Sequence, residues 1–169
     1  MSISLIVNSF PNTKLLHPIV EGIESQTDSD FELEQVYSAK SLASHIESAQ
    51  HEYLVFLGAN CIPNIDFIKA HRRAAKKGIV SMSSRIFLDQ TISQHILDNQ
   101  LSPCCWNTLD LLALRISGHV NKLFPCSAHS IEGQFATFGA YKSILNARLN
   151  FQTISKQGTV LQLARLITK

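Results

Sequence analysis

Two apolar runs constrain this chain more than any other feature: "ISLIV" at Ile3–Val7 and "YLVFL" at Tyr53–Leu57. Neither alternates apolar with polar residues. Each therefore reads as a strand covered on both faces, which is the habit of buried parallel strands. Helical spacing follows both runs. After the first, Asn12 or Thr13 is placed to cap a helix beginning near Lys14, with Leu15, Leu16, Ile19, Val20 and Ile23 on one face. The second run stops abruptly at Gly58, Ala59 and Asn60. Asn64 then reads as an N-cap with Asp66 in the first turn, and the helix runs through Phe67, Ile68, His71 and Ala75 to a stop at Gly78. Between the two runs, "FELEQVY" (Phe31–Tyr37) alternates and predicts a strand nearer an edge, and "SAKSLASHIESAQ" predicts a helix. "IVSMSSRIFL" is a further strand region. Strands alternating with helices predict an α/β fold: a central, mostly parallel sheet flanked by helices.

Past residue 88 the pattern is less regular. Thr91–Asn99 and Leu109–Ser117 read as helices, Glu132–Phe138 as a strand and Thr159–Ile167 as a last helix. No repeat or linker interrupts the 169 residues, which read as a single domain. With 45% hydrophobic and 17% charged residues the chain is too apolar for disorder. No apolar run approaches the roughly 18 residues of a membrane span. Met1–Val7 has neither a basic region nor a cleavage-site pattern. The expectation is a cytoplasmic protein with reduced thiols at Cys61, Cys104, Cys105 and Cys126. Charge is uneven. Residues 1–110 hold eight Lys and Arg against twelve Asp and Glu, whereas residues 111–169 hold seven against the single acid Glu132. The basic C-terminal third suits an anionic membrane surface, phosphate or an acidic partner, unless it simply neutralises the rest of the fold.

The order of elements and the phrases "ISLIVNSF", "SQTDSDFEL", "HEYLVFLGANCIPNIDFIKAHRRAAKKG" and "SSRIFL" resemble the nucleotide-sugar glycosyltransferases of family 2, which have the GT-A fold. Ser9, Phe10, Leu15 and Leu16 match the family's "PTYNR"-like loop and the leucine pair of its first helix. Ser25, Gln26, Thr27, Asp30, Phe31 and Glu32 match "SLLAQTYPDFEV". Glu52 to Leu57, Cys61, Ile62, Pro63, Asp66, Phe67 and Ile68 match "GEYLVFLDDDCIPDPDFL". The resemblance covers residues 3–88 well, is faint at "EGQFATFGAYKSIL" (132–145), and leaves 89–130 unplaced. It implies a compact GT-A-like (Rossmann-like) domain with a nucleotide-sugar cleft at Ser9, Phe10, Gly58, Ala59, Asn60 and Arg85. It also implies a role in bacterial surface glycan assembly, with a partner glycosyltransferase or a second copy of the chain as possible company.

The departures fall on the working parts. The family's aspartates after "FL" hold Mg²⁺ or Mn²⁺, for which hard carboxylate oxygens are suited. Gly58, Ala59 and Asn60 stand there instead, and only Asn60 offers an oxygen, a neutral one. The "VVDDGS"-like turn and about one strand–helix unit are missing between Glu32 and Leu57. The acidic pair that supplies the family's general base has no counterpart in "SKQGTVLQLARL". The resemblance thus predicts a scaffold without bound metal or catalytic residues. A metal-independent transferase, with cations such as Arg148 or Lys156 neutralising the leaving diphosphate, is the alternative.

Other constellations are thinner. Cys126 with His129 has acceptable spacing for half a zinc site, but Cys104 and Cys105 are adjacent and make no knuckle, so incidental thiols outweigh zinc. No activating pattern surrounds Cys104 or Cys105 as a nucleophile with His119 or His129. His71, Arg72, Arg73, Lys76 and Lys77 read as a basic stretch on one helix, more in keeping with a solvated face than a phosphate site. Arg85 is equally placed for a cleft or a salt bridge, and Trp106 for the core. There is no Gly-rich phosphate loop and no nucleic-acid motif.

Overall fold

The computed structural model describes residues 1–8, 16–37, 39–58, 60–121 and 135–148. Five strands make one sheet: β1 (Ile3–Asn8), β2 (Phe31–Val36), β3 (Tyr53–Leu57), β4 (Ser81–Ser84) and β5 (Phe135–Tyr141), in the order β2-β1-β3-β5-β4. Helices α1 (Leu16–Glu24), α2 (Ala39–Ser48), α3 (Phe67–Ala74), α4 (Gln90–Asn99), α5 (Thr108–Ile116) and α6 (Lys142–Arg148) connect and flank them, with a short 3₁₀ turn at Pro103–Cys105. The fold is α/β.

β1 pairs with β2 and β3 in parallel, while β5 runs antiparallel to both β3 and β4. Four strands therefore point one way, and the fifth is inserted among them. The predicted strand Glu132–Phe138 ends later than expected: β5 extends to Tyr141, with Phe138, Ala140 and Tyr141 opposite Phe56, Leu54 and Tyr53 of β3. The predicted last helix, Thr159–Ile167, lies outside the described residues.

Both faces of the sheet are dry, which is why the β1 and β3 runs do not alternate. One face joins Ile6, Leu54, Phe56, Phe138 and Ala140 to Leu42 and Ile46 of α2 and Leu145 of α6. The other joins Ile3, Leu5, Val7, Tyr53, Val55 and Leu57 to Ile19 and Ile23 of α1 and Ile68 of α3. β2 lies at the edge, as its alternation predicts. Pro18 sits in the first turn of α1, where its missing N–H costs nothing.

Three boundaries differ from expectation. Asn64 does not cap α3; its Oδ1 accepts from Asp66 N at 2.9 Å and its carbonyl from Phe67 N at 3.0 Å, making a turn ahead of the helix. α3 ends at Ala74 rather than at Gly78, because Ala75 is already extended. Gly78, with φ +82°, serves the following turn, closed by Ile79 N donating to Lys76 O at 3.1 Å. The strand region "IVSMSSRIFL" shortens to Ser81–Ser84, with a register break between Ser83 and Ser84.

Candidate functional site

Open α/β sheets bind ligands outside the carboxyl ends of their strands, where strand order reverses. Here the order reverses at β1, with β2 on one side and β3 on the other. The turn leaving β3 begins at Gly58, whose carbonyl accepts from Cys61 N at 3.1 Å. Asn60 is exposed in that turn, and Cys61 is buried behind it. Arg85, the first residue after β4, is half-buried and brings its guanidinium to the Cys61 thiol. Burial pushes that thiol up, and the charge and hydrogen bond of Arg85 partly offset the push. The guanidinium also lies 4.6 Å from the centre of the Phe87 ring, a cation–π contact.

The structure thus brings Gly58, Asn60 and Arg85 to one end of the sheet. Ser9, Phe10 and Ala59 lie outside the described residues, as do Cys126, His129, Glu132 and Lys156. Arg85 is held by a thiol and an aromatic ring. Among the described residues no group of three or more His, Cys, Asp or Glu is arranged to hold a metal ion. The two described residues at the β3 turn offer one neutral amide and no carboxylate.

The scaffold beneath the turn is closely tied. Gln26 Nε2 donates to Gly22 O at 2.6 Å and Asn64 O at 2.7 Å, and its Oε1 accepts from Ile68 N at 2.9 Å. Thr27 Oγ1 donates to Asp66 Oδ1 at 2.7 Å. Gly22 lets α1 pass so near the loop that a Cβ there would lie 2.7 Å from Pro63 O. Together these contacts clamp the end of α1 against the start of α3.

The basic stretch is neither one patch nor on one helix, since Lys76 and Lys77 lie beyond the end of α3. Arg72 grips Asp28 through two bonds of 2.6 and 2.9 Å and donates to Asp30 O at 2.7 Å, holding Asp28 below the usual carboxylate range. His71 is buried with 3% exposure. Its Nδ1 is 3.2 Å from Ser81 Oγ, which lies 2.6 Å from Tyr53 Oη, and its Nε2 is 3.5 Å from Ser83 Oγ. Burial alone lowers its pKa to about 4. Arg73, Lys76 and Lys77 remain exposed.

A second pair went unread in the sequence. Asp89 caps α4 by accepting from Ile92 N at 2.9 Å, and its other oxygen meets His119 Nδ1 at 2.7 Å. Asp89 and His119 are thirty residues apart, and no local spacing announces them. The Leu88–Val120 bridge and the bond from Asp89 N to His119 O at 3.0 Å bring their segments together.

No helix of the described residues is long and apolar enough to cross a membrane. No protein-family model matches the chain, and no curated protein matches it.

Proposed function

We propose that this chain is a glycosyltransferase-like binding module of glycan assembly: a shortened GT-A-type scaffold that takes a nucleotide diphosphate group without a metal and does not turn it over. The observation that carries this reading is the exchange of charge at the end of β3. The turn has lost its carboxylates to Gly58 and Asn60, while Arg85 lies behind it against Cys61. A divalent ion held by aspartates presents positive charge to a diphosphate, and a guanidinium presents the same sign with a planar fork that fits two phosphate oxygens. Asn60, exposed beside it, has an amide for a ribose or phosphate oxygen. The matched residues Gln26, Thr27 and Asp66 keep the scaffold, and a scaffold can outlast its chemistry.

The test is isothermal titration with UDP, GDP, CMP and TDP, each with and without Mn²⁺. The expected result is micromolar binding of one nucleotide, indifferent to Mn²⁺ and weakened about tenfold or more by Arg85→Gln, the scale of one lost charged hydrogen bond. Failure of all four nucleotides to bind overturns it.

A metal-independent transferase is the second reading, and the Asp89–His119 pair favours it. An imidazole oriented through Nδ1 by a carboxylate leaves Nε2 as a base for an acceptor hydroxyl. Release of UDP from a UDP-sugar, abolished by His119→Ala, would select this reading over the first.

A further inference from the structure

The 3₁₀ turn at Pro103–Cys105 sets two adjacent thiols side by side, with Cys104 Sγ and Cys105 Sγ 3.6 Å apart. They differ in exposure. Cys104 is buried at 2%, and Cys105 faces solvent. The turn is fixed from several directions: it packs against α1, Trp106 N donates to Pro103 O at 3.1 Å, and Cys104 O accepts from Ile65 N at 3.1 Å. The carboxylate of Glu21 lies near enough to act on Cys104 electrostatically, and its buried Oε2 has no hydrogen-bond partner among the described residues.

A fixed pair of sulfurs favours an electrophile that needs two of them and no third ligand. Zinc wants four ligands, and the described residues offer no such set here. A disulfide would have to draw the sulfurs from 3.6 Å to about 2.05 Å against a turn pinned at Ile65 and α1. A bridging atom can sit between them without that movement, and soft thiolates select soft acceptors.

We propose that Cys104 and Cys105 form a vicinal-dithiol site for a trivalent, thiophilic metalloid, with an organic arsenical as its probe. Phenylarsine oxide in water is the dihydroxide C₆H₅As(OH)₂. Two S–H and two As–OH bonds break, two As–S bonds form, and two waters leave. Arsenic stays trivalent, so no oxidant or reductant takes part. Exposed Cys105 forms the first bond, and Cys104, already beside it, closes the chelate as an intramolecular step.

The test treats the reduced, full-length chain with one equivalent of phenylarsine oxide, washes it with excess monothiol, and then measures mass and free thiols in denaturant. The expected result is one phenylarsenic per chain, loss of two of the four thiols, and a modified peptide containing residues 104 and 105. A dithiol such as dimercaptopropanol should strip the adduct. Cys105→Ser changes an exposed side chain and spares the fold, and it should retain the arsenical about 100-fold less well, the scale of a lost second attachment. An adduct lost to the monothiol wash, or retained equally by Cys105→Ser, overturns the proposal.

Discussion

At the scale of single residues, His71 is the most consequential side chain outside the site. It is an imidazole built into the sheet's dry face as a neutral group between Ser81 and Ser83. Unfolded, it titrates near 6.5; folded, at about 4. Between those values the unfolded chain holds the extra proton. The stability this residue allows is thus complete above pH 6.5 and falls as pH drops toward 4, by roughly 3 kcal/mol in all. Urea midpoints at pH 7.5 and pH 4.5 check this, and His71→Gln should flatten the difference, leaving only the carboxylate share. Gly139 is tied to the same network. A Cβ there would overlap Tyr53 Oη and come within 2.8 Å of Ser81 Oγ. Gly139→Ala should cost about 1–3 kcal/mol through overpacking, measured as a lower urea midpoint with unchanged slope.

At the scale of elements, the contact that positions the candidate site is the clamp between α1 and α3. Gln26→Ala would leave Ile68 N without its partner and take one of two hydrogen bonds from Asn64 O. It should destabilise the chain by about 1–3 kcal/mol, and thermal unfolding would register the loss. The clamp was not legible from local spacing, because Gln26 and Thr27 lie 38 to 42 residues from the Asn64, Asp66 and Ile68 they bind. The strands were legible for an equally physical reason. Burial on both faces leaves an uninterrupted apolar run, and β1 and β3 have one. Helix ends were less so: Gly78 suggested a stop, but Ala75 is already extended, since α3 has to release the chain early enough to reach β4. The meetings of Cys61 with Arg85 and of Asp89 with His119 were not legible. Each joins segments that become neighbours only in the folded chain.

At the scale of the whole molecule, β5 unites the two halves of the sheet. Phe138 stacks on Phe56 at 4.4 Å between ring centres, and its side chain is wholly buried. Phe138→Ala should cost about 3–5 kcal/mol, enough to threaten a domain of ordinary stability, and circular dichroism in urea would report it. The less regular half of the sequence therefore supplies the antiparallel strand that joins β4 to β3. Irregular patterning is no guide to structural weight, because a strand fixed by its neighbours' side chains needs only the right sizes in the right order.

The place of β5 also bears on how the chain is made. A ribosome releases β1, β2, β3 and β4 in turn, yet among the described residues β4 is hydrogen-bonded to no strand but β5, and β3 lacks its second neighbour until residues 135–141 emerge. Throughout synthesis of the intervening residues the nascent sheet carries a bare strand edge, the kind of surface on which chains aggregate and chaperones act. The yield of folded protein should therefore respond most to what happens while that edge is open, before translation reaches Tyr141.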